Sequence, residues 1–315
     1  MSERLQPPTP NDATGPPVLL LVFNRPGPTQ RVCEVIRRAN PSVLYVGADG
    51  PRADRLEDRS RCEATRQVID RVDWACPVHK RFRDENLGCG RSVSESITWF
   101  FDHVEAGVII EDDCLADVSF FPFAAELLAN YRSESSIGAI TGNRFVSDQS
   151  ADGNFFAAKY PSIWGWATWR DRWAQYAFEL PGSRFTDFQA LRPWLGWPAA
   201  RFWSARFARV RNHSIDTWDF QWFHVLFRNR WRVLTPTVNL VENIGFDGDG
   251  THTTAKHLGI PKGSISMPTK RCNSTKVADE YDARVRREFF RITAKGSAIR
   301  GLGRFKMACS KRWAR

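Results

Sequence analysis

From residue 18 to residue 141, short apolar runs alternate with segments whose apolar positions recur every three or four residues. The runs at 18–23, 43–46, 77–82, 108–110 and 137–141 read as buried strands. Between them, Val32, Val35 and Ile36 share one face of a helix that opens after Gly27-Pro28-Thr29. A charged helix spans roughly 57–72, and Ile97, Phe100, Phe101 and Val104 form the apolar face of another over 92–104; a fourth covers 120–131. This alternation predicts an α/β fold with a mostly parallel sheet covered by helices on both faces. Ligands of such sheets bind at the carboxyl ends of the strands. The loops at Asn24-Arg25-Pro26, Asp49-Gly50-Pro51-Arg52, Asn86 and Glu111-Asp112-Asp113 all follow strands, so they are expected to share one rim.

The second half is less periodic. It carries many of the chain's 13 Trp and 22 Phe, a helix-like stretch at 202–210, a strand pair at 232–235 and 238–242, and a polar loop from Asn243 to His252. Residues 1–17 are rich in Pro, Ser, Thr and Asn and read as a disordered leader. The expected organisation is one main domain over 18–275, with halves at about 18–145 and 146–275, followed by a basic tail at 276–315.

Charge changes the picture only at the end of the chain. The formal net charge is +10, yet residues 281–315 alone hold eleven Lys and Arg against Asp282 and Glu288, so the body is close to neutral. Nucleic-acid binding by the body is disfavoured, because it has no surplus to offset phosphates. Seven scattered cysteines with no C-x-x-C pair suggest neither a zinc site nor a disulfide framework and fit a reducing cytosol. No apolar run reaches the length of a membrane span. In the tail, Val277, Tyr281, Val285 and Phe289 recur every four residues among arginines. That suits either an anionic membrane surface, which would place a cytoplasmic protein at the inner face of the membrane, or a helix packed on the domain with a solvated end.

Three consecutive carboxylates after a buried strand repel one another and need compensation. Water supplies it in an ordinary polar turn; Mg2+ or Mn2+ supplies it when a phosphate shares the ion, and Asp113, farthest from the strand, is the expected ligand. Asp219 also has two readings. It sits three residues after Asp216, as a helix N3 acid would, and it is flanked by Trp218, Phe220 and Trp222, whose desolvation would raise its pKa toward that of a general base. Asp49 reads as a nucleoside-binding acceptor or as part of a turn. Gly88, Gly90 and Arg91 read as a phosphate-binding helix start, on weak motif grounds. His252 is a metal or phosphate ligand or simply a solvated histidine, and Trp164, Trp166 and Trp169 are core or sugar platform.

The ordered series Phe23-Asn24-Arg25, Asp49-Gly50, Asn86-Leu87-Gly88, Val108-Ile109-Ile110-Glu111-Asp112-Asp113 with Phe120-Phe121, Gly165-Trp166, Trp218-Asp219, Asn243-Ile244-Gly245 and Thr251-His252 resembles the GT-A fold of nucleotide-sugar glycosyltransferases. It is similar to the bacterial family 2-like enzymes and to the N-acetylglucosaminyltransferase I type. The resemblance implies a Rossmann-like GT-A domain with a nucleotide-binding first half and an acceptor-binding second half. It implies a nucleotide-sugar donor, UDP-linked, held by Phe23, Asn24, Arg25, Asp49, Asn86, Gly88, Arg91, Glu111 and Asp112. Asp113 and His252 would hold Mn2+ or Mg2+, Trp164 and Trp166 would meet a glycan or lipid-linked acceptor, and Asp219 would be the catalytic base of an inverting transfer. Glu-Asp-Asp departs from the usual Asp-x-Asp of family 2. A nucleotidyltransferase would carry a Gly-x-Gly-x-x-x-Arg loop where this chain has Asn24-Arg25-Pro26-Gly27-Pro28; a non-catalytic glycan- or membrane-binding module is the alternative outside enzymes.

Overall fold

The computed structural model describes residues 15–147, 152–245, 260–273 and 275–292. The first half follows the expected alternation: β1 (Val18–Val22), α1 (Pro26–Ala39), β2 (Leu44–Ala48), α2 (Leu56–Asp70), β3 (Val78–Phe82), α3 (Gly88–His103), β4 (Ala106–Glu111), β5 (Cys114–Ala116), α4 (Phe120–Asn130) and β6 (Ile137–Thr141). Then come β7 (Phe155–Ala158), β8 (Trp166–Trp169), α5 (Arg170–Trp173), α6 (Arg184–Leu195), α7 (Trp197–Arg211), α8 (Asp219–Arg228), β9 (Arg232–Pro236), β10 (Val241–Asn243) and α9 (Thr275–Arg284), which runs into a π-helical turn at Val285–Phe289.

Among the described residues, eight strands form one sheet in the order β3-β2-β1-β4-β8-β6-β9-β7. β1 pairs in parallel with β2 and β4, β2 with β3, and β6 with β9. β8 runs antiparallel between β4 and β6, and β7 antiparallel to β9, so six of the eight strands share one direction. This is a mostly parallel sheet flanked by helices, consistent with the Rossmann-like GT-A fold that the resemblance implies. The expected pairing of 232–235 with 238–242 does not form. β9 enters the main sheet, while β10 pairs with β5 in a separate two-stranded ribbon that sets Asn243 opposite Cys114.

Side chains of successive strand residues point to opposite faces, and the core is split accordingly. Leu19, Leu21 and Ile109 join Ile97, Phe100, Trp166 and Trp222 on one face of the sheet. Leu20, Val22 and Ile110 join Ile36, Phe121 and Leu127 on the other. Burial on both faces explains why β1 reads as an unbroken apolar run. α1 starts with prolines, whose fixed φ suits a first helical turn, and stops at Asn40 in the left-handed region at φ 48°.

The start of the basic tail is part of the domain. Tyr281, Val285 and Phe290 are buried in the first core, the Tyr281 hydroxyl accepts from the Phe145 amide at 3.1 Å, and Asp282 accepts from the Lys159 amide at 3.0 Å. The remainder, from 293, lies outside the described residues, as do the leader through 14 and the loop 246–259 that contains His252. Among the described residues no helix is long and apolar enough to cross a membrane.

Candidate active site at the strand ends

The ends of β1 and β4 form the acidic part of the rim. Phe23, Asn24, Arg25, Glu111 and Asp112 line a narrow cleft there. Asp112 continues the strand ladder by donating its amide to Leu21 O at 2.9 Å, and its Oδ2 accepts from the Phe23 amide at 3.2 Å. Alternation sends Glu111 to the face of Ile109, while Asp112, just past the end of β4, turns its carboxylate to the Phe23 amide.

Asp113 turns inward. It is fully buried; Arg25 Nη1 lies 3.3 Å from its Oδ2, and Asn243 Nδ2 lies 3.4 Å from its Oδ1. The Ile244 amide adds a 2.8 Å bond to its backbone carbonyl. The residue expected to face an ion thus lies beneath the β5–β10 ribbon, with partners from Arg25 and from Asn243 of β10.

Asn24 and Arg25 are fixed from different directions. Asn24 Nδ2 donates to Asp58 Oδ1 at 2.8 Å, and Arg52 grips the same carboxylate through Nε at 2.5 Å and Nη2 at 2.9 Å. Burial pushes the Asp58 carboxyl up, but the Arg52 and Asn24 hydrogen bonds outweigh it and leave the pKa below its ordinary value. The Arg52 guanidinium also lies 5.4 Å from the Phe23 ring centroid. Asp58 was invisible in the sequence, because it sits on a charged helix with nothing to mark it.

Asp49 is a clamp on the neighbouring loop. Its carboxylate, wholly buried, accepts from the amides of Gly50 and Leu87 at 3.0 Å, Gly88 at 3.1 Å and Asn86 Nδ2 at 3.0 Å. Burial raises its pKa to about 6 in spite of those donors. Asp216 does the same one turn on, accepting from the Gly90 amide at 3.2 Å. The amides that open α3 are thus spent on two protein carboxylates, which stand where a phosphate was expected. Arg91 packs on the second half of the chain, 4.8 Å from the Phe178 ring centroid and 4.0 Å from Glu179.

Asp219 is the first residue of α8, with Trp218 as N-cap, so it is not the N3 partner of a capping Asp216. It is fully buried. Oδ1 accepts from the Thr217 hydroxyl, and Oδ2 has no hydrogen-bond partner. Burial raises its pKa to about 7; the Thr217 and Phe220 hydrogen bonds pull it down, and the Glu111 carboxylate pushes it up. Glu111 and Asp219 are thereby linked electrostatically across the join between β4 and α8.

No protein-family model and no curated protein matches the chain. Solved structures do, at low similarity. A mannosyltransferase from Pyrobaculum calidifontis, PcManGT, solved with GDP-Man and Mn2+, matches 69% of this chain and 70% of its own at 11% identity and a TM-score of 0.40. HddC from Yersinia pseudotuberculosis matches 49% of this chain and 77% of its own at 10% identity and a TM-score of 0.28. A UDP-glucose pyrophosphorylase complexed with UDP-glucose matches 50% of this chain and 77% of its own at 10% identity and a TM-score of 0.29. Likenesses of this size carry no argument about activity, which rests on the geometry.

A divalent ion is held by converging oxygen ligands. Among the described residues no three His, Cys, Asp or Glu side chains converge on a point that would hold one. Glu111 and Asp112 line the strand-end cleft, Asp113 is engaged with Arg25 and Asn243, and His252 lies outside the described residues. The described residues hold no ion site complete in itself, and Mg2+ or Mn2+ shared with a phosphate would need only one or two of these carboxylates. The tryptophans are also redistributed. Trp166 is 1% exposed and stacks on Trp218 at 5.7 Å, with Trp222 at 5.5 Å, so it is core and presents no face to a sugar. Trp164 is partly buried and packs against both cores.

Proposed function

We propose that the protein is a glycosyltransferase that moves a sugar from a nucleoside-diphosphate donor to a hydroxyl acceptor, with Asp219 as general base. The observation that carries this reading is the Asp219 carboxylate: buried, with an unpartnered oxygen, and with a proton affinity near pH 7 beside Glu111 at the strand-end rim. A base of that strength is half ionised at neutral pH and takes the proton of an attacking hydroxyl as the bond to the anomeric carbon forms. The nucleoside diphosphate leaves from the opposite face, so the transfer inverts.

The donor is assigned to the ends of β1 and β4, where the backbone around Phe23, with Asn24 and Arg25, meets Glu111 and Asp112. Arg25 supplies positive charge there and would exchange Asp113 for a phosphate oxygen. Asp49 and Asp58 act at one remove, holding the Asn86–Gly88 loop and Asn24 in place. Because Asp219 has no exposure, the reading requires that the acceptor open the rim around the start of α8 to reach Oδ2.

The test is a thermal-shift screen of UDP, GDP and their sugar conjugates, each with and without Mn2+, followed by transfer assays on the binders with the wild type and Asp219→Asn. Stabilisation by one nucleoside diphosphate and its sugar conjugate, with sugar release lost in the variant, is the expected result. Absence of any nucleotide effect, or undiminished turnover by Asp219→Asn, removes the reading.

A further inference from the structure

A second cleft, of about 260 Å3, opens where α3 and α8 start, lined by Arg91, Phe178, His213, Ile215, Asp216 and Gln221 among others. The turn after α7 forms one wall, with His213 held in the left-handed region at φ 56°. Gln221 is 2% exposed, and its amide orientation is fixed: Nε2 donates to Thr217 O at 2.7 Å and to Phe178 O at 3.3 Å. Flipping the amide would set its oxygen against two carbonyl oxygens. Oε1 therefore stays in place, closed to solvent and without a hydrogen-bond partner in the protein. An acceptor left unpaired in this way is open to a donor that parts the lining above it.

The other groups define that donor. Arg91 is opposed by Asp216 and Glu179, so the cleft has no positive surplus to hold a phosphate or a carboxylate. Its lining presents a carboxylate at Asp216, a guanidinium at Arg91 and apolar surface at Phe178 and Ile215, with the Gln221 acceptor just beneath. A hydroxyl both donates and accepts, and a sugar ring carries several hydroxyls around a hydrocarbon face. The volume lies below the ~300 Å3 at which drug-sized pockets begin, which suits a single ring. Asp216, Thr217 and Gln221 belong to the same turn as Asp219, so an occupant lies next to the proposed base.

We infer that this cleft binds one uncharged sugar ring and is the acceptor subsite, an assignment that rests on the transferase reading and replaces the tryptophans as the acceptor contact.

Saturation-transfer NMR on the full chain tests it. The probes are the methyl glycosides of glucose, galactose, mannose and N-acetylglucosamine, with methyl glucuronide and glucose 6-phosphate as charged comparators. At least one neutral glycoside is expected to receive saturation and the charged comparators not to. Ile215→Trp, which fills the cleft, should weaken that binding tenfold or more, and Arg91→Ala, at an exposed position, severalfold. Neither variant should alter the thermal shift caused by a nucleoside diphosphate. No saturation of any neutral glycoside, or equal saturation in Ile215→Trp, overturns the inference; a nucleotide shift that persists in that case leaves the transferase reading standing. Saturation lost in Ile215→Trp without any nucleotide effect upholds the cleft as a sugar site and removes the transferase reading instead.

Discussion

The Gly90 amide donates to Asp216 Oδ1 at 3.2 Å, and through that bond the first turn of α3 meets the loop that launches α8, 126 residues further along the chain. This contact joins the first half of the chain to the element that carries Asp219. It depends on the absence of a side chain at position 90: a Cβ there would lie 2.5 Å from Asp216 Oδ1 and 3.1 Å from Thr217 O. Gly90→Ala should therefore cost about 1–3 kcal/mol as an overpacked contact. Urea unfolding monitored by tryptophan fluorescence measures the change, and an unaltered midpoint would show that the two segments part easily.

Asp219→Asn separates catalysis from stability. The acid's pKa is about 7 in the folded protein against an ordinary 3.8, so the folded state holds the proton more tightly than the unfolded chain does. Its contribution favours folding most below about pH 4 and is lost as pH rises through 7. Asparagine has no proton to lose, so the variant should gain thermal stability over the wild type at pH 8, by an amount on the order of a few kcal/mol, and much less at pH 5. In the wild type, transfer should rise with pH toward a plateau above 7 as the base ionises.

Two more buried acids lean the same way. Burial lifts Asp282 to about 7 and Asp49 to about 6, each against the pull of backbone amides. With three carboxyls all binding protons more tightly when folded, the melting temperature should be higher at pH 5.5 than at pH 8. The Asp58–Arg52 pair opposes this only below about pH 4, because its pKa is lowered. Scanning calorimetry across the range decides it, and a melting temperature that climbs steadily from pH 5.5 to 8 would contradict the burial argument.

Asp113→Ala should unfold the protein more readily, not simply silence it. The change strips Arg25 and Asn243 of their shared partner beneath the β5–β10 ribbon. Breaking a fully buried ion pair costs about 3–5 kcal/mol; Arg25 keeps 26% of its side chain in solvent, so the lower end applies. Circular dichroism melts read this directly, and an unshifted melt would restore Asp113 as a residue with room for a ligand.

Trp166→Ala is expected to lose about 3–5 kcal/mol, as for other large-to-small changes in a packed core. If the loss were small and sugar binding fell instead, the ring would be a platform after all.

Much of the architecture was legible because both faces of the sheet are covered: β1, β4 and β6 could bury nothing but apolar runs, and the helices between them kept a three-to-four spacing. The positions of the loops at the strand ends followed from that. What could not be read were pairings made across the chain. Nothing near Trp166 says that β8 inserts antiparallel between β4 and β6, and nothing near Val241 says that it pairs with Ala116. The site suffered from the same blindness. Asp49 and Asp113 were singled out as candidate ligands and Asp216 only as a possible helix cap, and a local stretch does not reveal that Gly88, Arg25 and Gly90 already answer them. Gln221 carried no signal at all, since an amide on an aromatic helix looks like filler until both its hydrogens are traced to carbonyls.

The docking of α9 has a practical side. Tyr281 ties down the Phe145 amide, Asp282 ties down that of Lys159, and Arg284 reaches Ser147 O, so this helix works as a keystone for the strand-loop segment on either side of 148–151. A chain shortened before Thr275 would lose that support along with its basic residues. Asking whether the basic end binds an anionic membrane therefore calls for cutting after Ile292, where the charges can be removed and the keystone kept.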